Sequence, residues 1–503
     1  MPAGERLLQP RTQALIFLAL AALWMFARLG QGPLANFDDC YYAEKAKEMV
    51  RSGDWLTPHF AGTPRFDNPP LFLWLMAAAF SVAGITSYAA IFFSALSGVL
   101  CVVVLLGLAR RLGLDPFERW AAGFVLLTTQ YFLKFAGRAM FDVFLTLLFL
   151  LAVDAYVRAV EGDRKRFLLL GLVGGLGLMT KSILGIFPMA VAALHLLASG
   201  RARLLASRWW LAGVGLAALT AAPWYLYSYH VHGPAFFDEH VRWLLWRRAF
   251  VIGRERQSWS ESLGYLRDLG VTYWPWLPLA LAGLALEGRR LAAPGTPAED
   301  ERHGPDAWTG RSTAQLLVLW PLVVVGTMSI AIEKKLWYIM PVFPCLALLA
   351  ARGAGAWIRS DAARRWTIRA GFGLLAAGGM LLNLTPVGAH YARNPDLLRL
   401  ALVARSTVPE GEAVLNLDLP YWNFANQFLF YSDRNLTEPL ADPARVREGL
   451  DRGGYALLVA GRHAEVAGGA PAAYPVVAAS GRFVLVKAAP AVPAVLPAQD
   501  PYP

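Results

Sequence analysis

Between Thr12 and Leu384 the chain is a succession of apolar stretches, each near the length a bilayer core requires, and few folds accept that pattern. The stretches cover residues 12–29, 88–110, 119–135, 140–158, 167–181, 183–199, 208–229, 271–287, 314–331, 336–351 and 366–384. Backbone amides in hydrocarbon must bond within their own segment, so each stretch is predicted to be a helix. A further apolar run, Leu71 to Gly84, is shorter and starts at Pro69-Pro70; it reads as a re-entrant or interfacial helix. With 56% hydrophobic and 17% charged residues, an ordinary soluble enzyme is excluded. Arg11 precedes the first stretch and no small-residue cleavage site follows within residues 22–31, so this stretch reads as a retained span rather than a signal peptide.

The net charge of +11 points to nucleic acid only until the basic residues are placed. With Arg6 and Arg11 on the cytoplasmic side, alternate loops carry Arg110, Arg111 and Arg119, then Arg158, Arg164, Lys165 and Arg166, then Arg201, Arg203 and Arg208. The next carry Arg289 and Arg290, then Arg352, Arg359, Arg364 and Arg365. Every short basic loop falls on one side if Leu71–Gly84 does not cross, as the positive-inside rule requires. The charge is therefore a topology signal, and nucleic acid is not an expected partner. Loops 37–70 and 230–270 and everything after about residue 385 are placed outside.

The expected fold class is a polytopic α-helical membrane protein of about 11–13 spans with a small C-terminal α/β domain on the outer face. Residues 1–384 form the membrane part and 385–488 the soluble domain, where AVLNLDL, YALLVAG and FVLVKA read as strands and Pro443–Arg452 as a helix. The Pro/Ala-rich tail 489–503 and the insert 291–312 read as disordered. Cys40, Cys101 and Cys345 have neither disulfide nor metal spacing.

The polar interlude Phe37–Pro70 opens with Asp38 and Asp39 and reads as an amphipathic helix lying in the interface. Tyr42, Ala46, Met49 and Val50 make its apolar side, and Lys45, Lys47, Glu48 and Arg51 the other. Ionisable residues at membrane depth are costly and so are functional candidates. On the outer side these are Asp38, Asp39, Asp67, Lys134, Arg138, Asp142, Lys181, Glu333, Lys334 and Lys335. Together they imply a polar cavity in which acids activate a hydroxyl or hold a cation, while Lys and Arg clamp a phosphate. Plainer readings stand beside these: Asp39 as a helix cap, Arg138 with Asp142 as an i,i+4 ion pair, Lys334 and Lys335 as snorkelling residues. Asp67 and His240 supply carboxylate and imidazole, ligand types that suit zinc or manganese, with magnesium as a further divalent candidate; no fixed metal-binding spacing accompanies them.

Six segments in order, DDCYYAEKAKEMVRSGDWLTP, RFDNPPLFLWL, GRAMFDVFLTLLF, LMTKSILGIFP, APWYLYSYHVHGPAFFDEHVR and KKLWYIMPVFPCLALL, make residues 30–350 similar to the bacterial membrane glycosyltransferases of the GT-C fold. This family is related to protein O-mannosyltransferases and the lipid A aminoarabinose transferase. The resemblance implies that Asp38 acts at the acceptor nucleophile and that Asp142 is the second acid of that site. It implies metal-ligand roles for Asp67, where the aminoarabinose enzyme has Glu, and for His240. Lys181 matches a Thr-Lys element, Arg242 or Arg247 the phosphate-contacting arginine, and Tyr42, Arg138, Lys334 and Lys335 join the substrate-binding candidates. Asn68 stands where the family often has Lys, which shifts the phosphate role to Lys181, Arg138 or Lys334.

The function this implies is transfer of a sugar, with inversion, from a polyprenyl-monophosphate donor such as an undecaprenyl-linked sugar, at the periplasmic face of a bacterial inner membrane. The acceptor would be an envelope glycolipid such as lipid A, a polysaccharide or a protein. The rivals are a flippase for a lipid-linked sugar and a non-catalytic polymer scaffold. The absence of an internal repeat and the acids at membrane depth argue against them.

Overall fold

The computed structural model describes residues 10–26, 29, 32–34, 38–247, 263–293, 308–331, 334–385, 394–419 and 425–488. It opens with α1 (Pro10–Phe26), α2 (Asp38–Ser52), a two-stranded hairpin of β1 (His59–Phe60) and β2 (Thr63–Pro64), and the short apolar α3 (Leu71–Ala83). The membrane part continues as α4 (Ser87–Arg111), α5 (Pro116–Thr128), α6 (Gln130–Ala136), α7 (Asp142–Val160), α8 (Arg166–Lys181) and α9 (Phe187–Ala198). After α10 (Arg208–His232) comes a widened helix, α11 (Phe237–Arg247), then α12 (Gly264–Thr272), α13 (Leu277–Ala292), α14 (Gly310–Ile330), α15 (Phe343–Trp357) and α16 (Asp361–Leu384).

The expected spans are met by these helices, and among the described residues six stretches are long and apolar enough by themselves to cross a membrane: Ser87–Arg111, Asp142–Val160, Arg166–Ala198, Gly310–Ile330, Leu336–Trp357 and Asp361–Leu384. The sixth and tenth expected spans begin as the 3-10 stretches Ser182–Ile186 and Leu336–Val342, and two others are divided between separate α-helices. The third divides where Thr129 turns extended between α5 and α6. The eighth divides at residues 273–276 between α12 and α13, where Pro275 lacks a helical amide. Because lipid is as apolar as leucine, close packing rather than water exclusion holds such helices together, and glycines set the contacts. A Cβ at Gly171 in α8 would sit 1.9 Å from the Gly213 carbonyl oxygen in α10, and one at Gly283 in α13 would sit 1.9 Å from that of Leu349 in α15.

The C-terminal domain runs through α17 (Pro395–Thr407), β3 (Val414–Asn416), α18 (Asn426–Ser432), α19 (Pro443–Asp451), β4 (Tyr455–Val459), α20 (His463–Ala467), β5 (Val476–Ser480) and β6 (Phe483–Lys487). Its sheet has the order β3-β4-β6-β5; β3 and β4 are parallel and the other pairs antiparallel. Three strands match the expected segments, and β5 was not among them. Leu417, Val446, Leu450, Leu458 and Val486 form a separate small core, while α17 and α18 join the main core of the membrane part. The tail 489–503 and most of the insert 291–312 lie outside the described residues.

That junction covers much of the charged side of α2, the helix that the sequence places along the interface. Glu44, Lys45 and Lys47 are all buried. Lys47 Nζ donates to the Leu429 carbonyl at 3.0 Å and pairs with Glu44 at 2.6 Å and Asp433 at 3.3 Å. Glu48 accepts from the amide of Gly62 at 3.0 Å and from that of Ala61 at 2.6 Å. The polar side of α2 is thus the face that binds the C-terminal domain and the β1–β2 hairpin. Hydropathy periodicity separates the two faces of a helix without saying what covers each.

Candidate active site

Four segments bring charge to one place beside α2. Asp38 and Asp39 lie in the first turn of α2 and Asp142 in the first turn of α7, where carboxylates complement a helix N-terminus; Lys181 lies in the last turn of α8, where a cation does. Arg138 comes from the bend between α6 and α7. A fifth segment, the 3-10 stretch Leu336–Val342, brings Tyr338, whose ring lies 4.6 Å from Lys181 Nζ.

Arg138 grips Asp39 in a fork, with Nε to Oδ2 at 2.9 Å and Nη2 to Oδ2 at 2.8 Å, and Asp39 is fully buried. Lys181 Nζ donates to Asp142 Oδ1 at 2.5 Å and also lies 4.8 Å from the Phe141 ring centre. These pairings correct two plain readings. Asp39 is held by Arg138 within the helix and is not a cap. Arg138 does not pair with Asp142, because α6 ends at Ala136 and residues 138–141 are not helical, so the four-residue spacing never becomes one helical face.

Two acceptors remain. Asp142 Oδ2 is buried with no hydrogen-bond partner, and Asp38 makes no ion pair among the described residues. Burial first, then the neighbouring carboxylates of Asp39 and Asp142, push the Asp38 carboxyl up from 3.8 to about 7. A carboxyl poised near neutrality suits a general base at a hydroxyl or phosphate, and the two cations opposite it suit an anion. Tyr42, buried in α2, packs on Phe141 at 4.8 Å and forms the wall beside the acids.

The other expected residues are placed elsewhere. Arg242 is exposed and pairs with Asp238 at 3.0 Å, and Arg247 is exposed at the end of α11. Lys334 donates to the Ala331 carbonyl at 2.8 Å, and Lys335 lies 5.8 Å from the Trp337 ring. Tyr338, a few residues on, lies against Lys181. Lys134 is exposed, and Glu333 lies outside the described residues.

Asp67 and His240 come near each other, but not as a metal pair. Lys45 Nζ pairs with Asp67 Oδ1, and Asn68 Nδ2 donates to Oδ2 at 2.8 Å. The His240 ring bonds through Nδ1 to the Phe66 carbonyl at 2.5 Å and through Nε2 to Ser182 Oγ at 3.1 Å. Burial holds its pKa below 6.5, which keeps the ring neutral for those two bonds. Among the described residues no three His, Cys, Asp or Glu side chains converge as a metal cradle. The donor set therefore does not fit a divalent ion, and no chemical step is routed through one.

Lys45, Tyr338, Phe141 and Ser182 escaped sequence reasoning. Lys45 looked like one of several charges on a solvated face; Tyr338 sat in a hydrophobic span. A basic residue directly beside a predicted apolar stripe was the one available signal, and it is weak.

This helical membrane scaffold, with a soluble α/β domain seated on acids and cations at one end, is the GT-C architecture. The chain has that fold, and its sequence is similar to those of aminoarabinose and protein mannosyl transferases. A family model described as dolichyl-phosphate-mannose-protein mannosyltransferase matches residues 67–227. The undecaprenyl phosphate-α-4-amino-4-deoxy-L-arabinose arabinosyl transferase 2 of Pseudomonas fluorescens is 30% identical over 375 residues, 73% of this chain and 60% of that one. The corresponding transferase of Aeromonas salmonicida is 27% identical over 381 residues, 73% of this chain and 66% of that one. The chain thus spans less than two thirds of either relative. The crystal structure of ArnT from Cupriavidus metallidurans bound to undecaprenyl phosphate superposes with a TM-score of 0.74 at 19% identity, covering 94% of this chain and 97% of that one.

Proposed function

We propose that this protein is a membrane glycosyltransferase that takes its sugar from a polyprenyl-monophosphate donor, undecaprenyl phosphate being the carrier that the relatives' names print. The observation that carries the reading is the unpaired, near-neutral Asp38 carboxyl beside the free Asp142 oxygen, faced by Arg138 and Lys181. An acceptor hydroxyl or phosphate oxygen bonds to the anomeric carbon as the bond from that carbon to the donor phosphate oxygen breaks. A hydroxyl's proton passes to Asp38, and the polyprenyl phosphate leaves with the bonding pair. Lys181, already placed on Asp142, takes the developing phosphate charge in a site with little water to screen it.

The site faces the periplasm of a bacterial inner membrane in this proposal. The positive-inside parity supports it: Asp38, Arg138, Asp142 and Lys181 all fall on the non-basic side. The cytoplasmic-parity charges gather separately, with Arg352 on Glu118 at 3.0 Å and on Glu287 at 3.1 Å, and Arg364 on Asp115 at 3.0 Å. The acceptor is an envelope glycolipid such as lipid A, a polysaccharide or a protein.

The test is release of polyprenyl phosphate from a radiolabelled donor panel by wild type and Asp38→Asn, with crude envelope as acceptor. Wild-type release with label entering an envelope fraction, abolished in Asp38→Asn, supports the transferase. Donor that binds and crosses vesicles with no release from any panel member overturns it in favour of the flippase.

A further inference from the structure

Among the described residues Lys45 is the largest charged side chain with no solvent exposure at all, and a buried ammonium is tolerated only where something specific compensates it. Its Nζ pairs with Asp67 Oδ1 and lies 4.3 Å from the centre of the Tyr41 ring, so one carboxylate and one aromatic face receive the charge. Asp67 in turn has its second oxygen occupied by Asn68. Both nitrogens of His240 are committed, and its ring is stacked on Phe236 at 5.3 Å with a 10° interplanar angle. The imidazole braces the segment next to Asp67 through the Phe66 carbonyl instead of donating a lone pair toward the carboxylate. Glu239, half-buried, lies close enough for its carboxyl to feel the Asp67 charge.

We propose that Lys45 Nζ is the resident cation of this pocket, fixing Asp67 against α2, and that the protein is metal-independent there. Lys45 acts through Asp67 and the hairpin behind it and is a positioning residue.

The experiment measures metal content and melting temperature of the purified full chain, with and without chelator and added zinc, for wild type, Lys45→Met, Asp67→Asn and the double variant. Wild type should carry far less than one metal per chain and melt identically with chelator or zinc. Lys45→Met should melt several degrees lower with or without zinc, and Lys45→Met/Asp67→Asn should regain stability. Stoichiometric metal in wild type that Asp67→Asn loses would overturn the proposal, as would a Lys45→Met protein with wild-type melting. If Lys45→Met fails to fold, wild-type metal content and chelator response decide alone. None of these readouts involves a sugar donor, so failure of the transferase reading would leave them unchanged.

Discussion

Replacing Asp38 by Asn should raise stability and abolish transfer, and the stability gain should depend on pH. In the folded chain this carboxyl ionises at about 7 instead of 3.8 because it is buried beside Asp39 and Asp142. The unfolded chain therefore ionises first as pH rises. The stability that goes with the protonated carboxyl is complete below pH 3.8 and is lost progressively as pH climbs through about 7. The loss amounts to at most about 4 kcal/mol by pH 8, of which roughly 2 to 3 kcal/mol accrues between pH 5 and pH 8. Asparagine carries no such penalty. At about 2 cal/mol/K of unfolding entropy per residue, that pH-dependent part corresponds to a melting-temperature gain of roughly 2 to 3 °C over wild type on going from pH 5 to pH 8. Intrinsic tryptophan fluorescence in detergent would read it, with donor release measured on the same samples. Transfer by wild type should rise through about pH 7 as the base ionises. An Asp38→Asn advantage equal at both pH values, or an Asp38→Asn protein that melts below wild type at pH 8, would refute the raised pKa and with it the general-base role.

Lys181→Met leaves buried Asp142 without its cation and should cost about 3 to 5 kcal/mol together with activity, whereas Lys181→Met/Asp142→Asn should regain much of the stability and none of the activity; chemical or thermal denaturation checks both. The α2 seam with the soluble domain should respond by burial. Lys47→Met, at a side chain 4% exposed, should cost about 3 to 5 kcal/mol, and Arg51→Ala, at one 47% exposed, about 1 kcal/mol or less. Gly171→Ala forces a methyl onto the Gly213 carbonyl and should lower stability by about 1 to 3 kcal/mol, against little change for Gly215→Ala, whose Cβ meets open space; melting of the two variants side by side decides it.

The legible parts of this molecule are those governed by one-dimensional rules. Apolar run length located the spans because hydrocarbon leaves the backbone no other choice, and the sign of loop charge sorted their ends. Acids and bases at membrane depth marked Asp38, Arg138, Asp142 and Lys181 as candidates because such residues are expensive wherever nothing uses or pairs them. The same rule also raised Lys334, which bonds the Ala331 carbonyl, and Lys335, which lies near the Trp337 ring, while the loop arginines Arg242 and Arg247 stay exposed. Strand β5 was missed because VVAAS alternates too weakly to stand out from the loops around it.

The sequence by itself determined a helical membrane protein with charged candidates gathered on one side and a small α/β appendage. Only the tertiary structure decided who neutralises whom. Arg138 goes to Asp39, Lys181 to Asp142 and Lys45 to Asp67, and Lys47 ties α2 to the C-terminal domain. Partners brought together from segments up to 397 residues apart depend on helix register, on crossing angles set by glycine contacts and on where a helix breaks. Periodicity records which face of a helix is polar, and it holds no information about which other face will meet it.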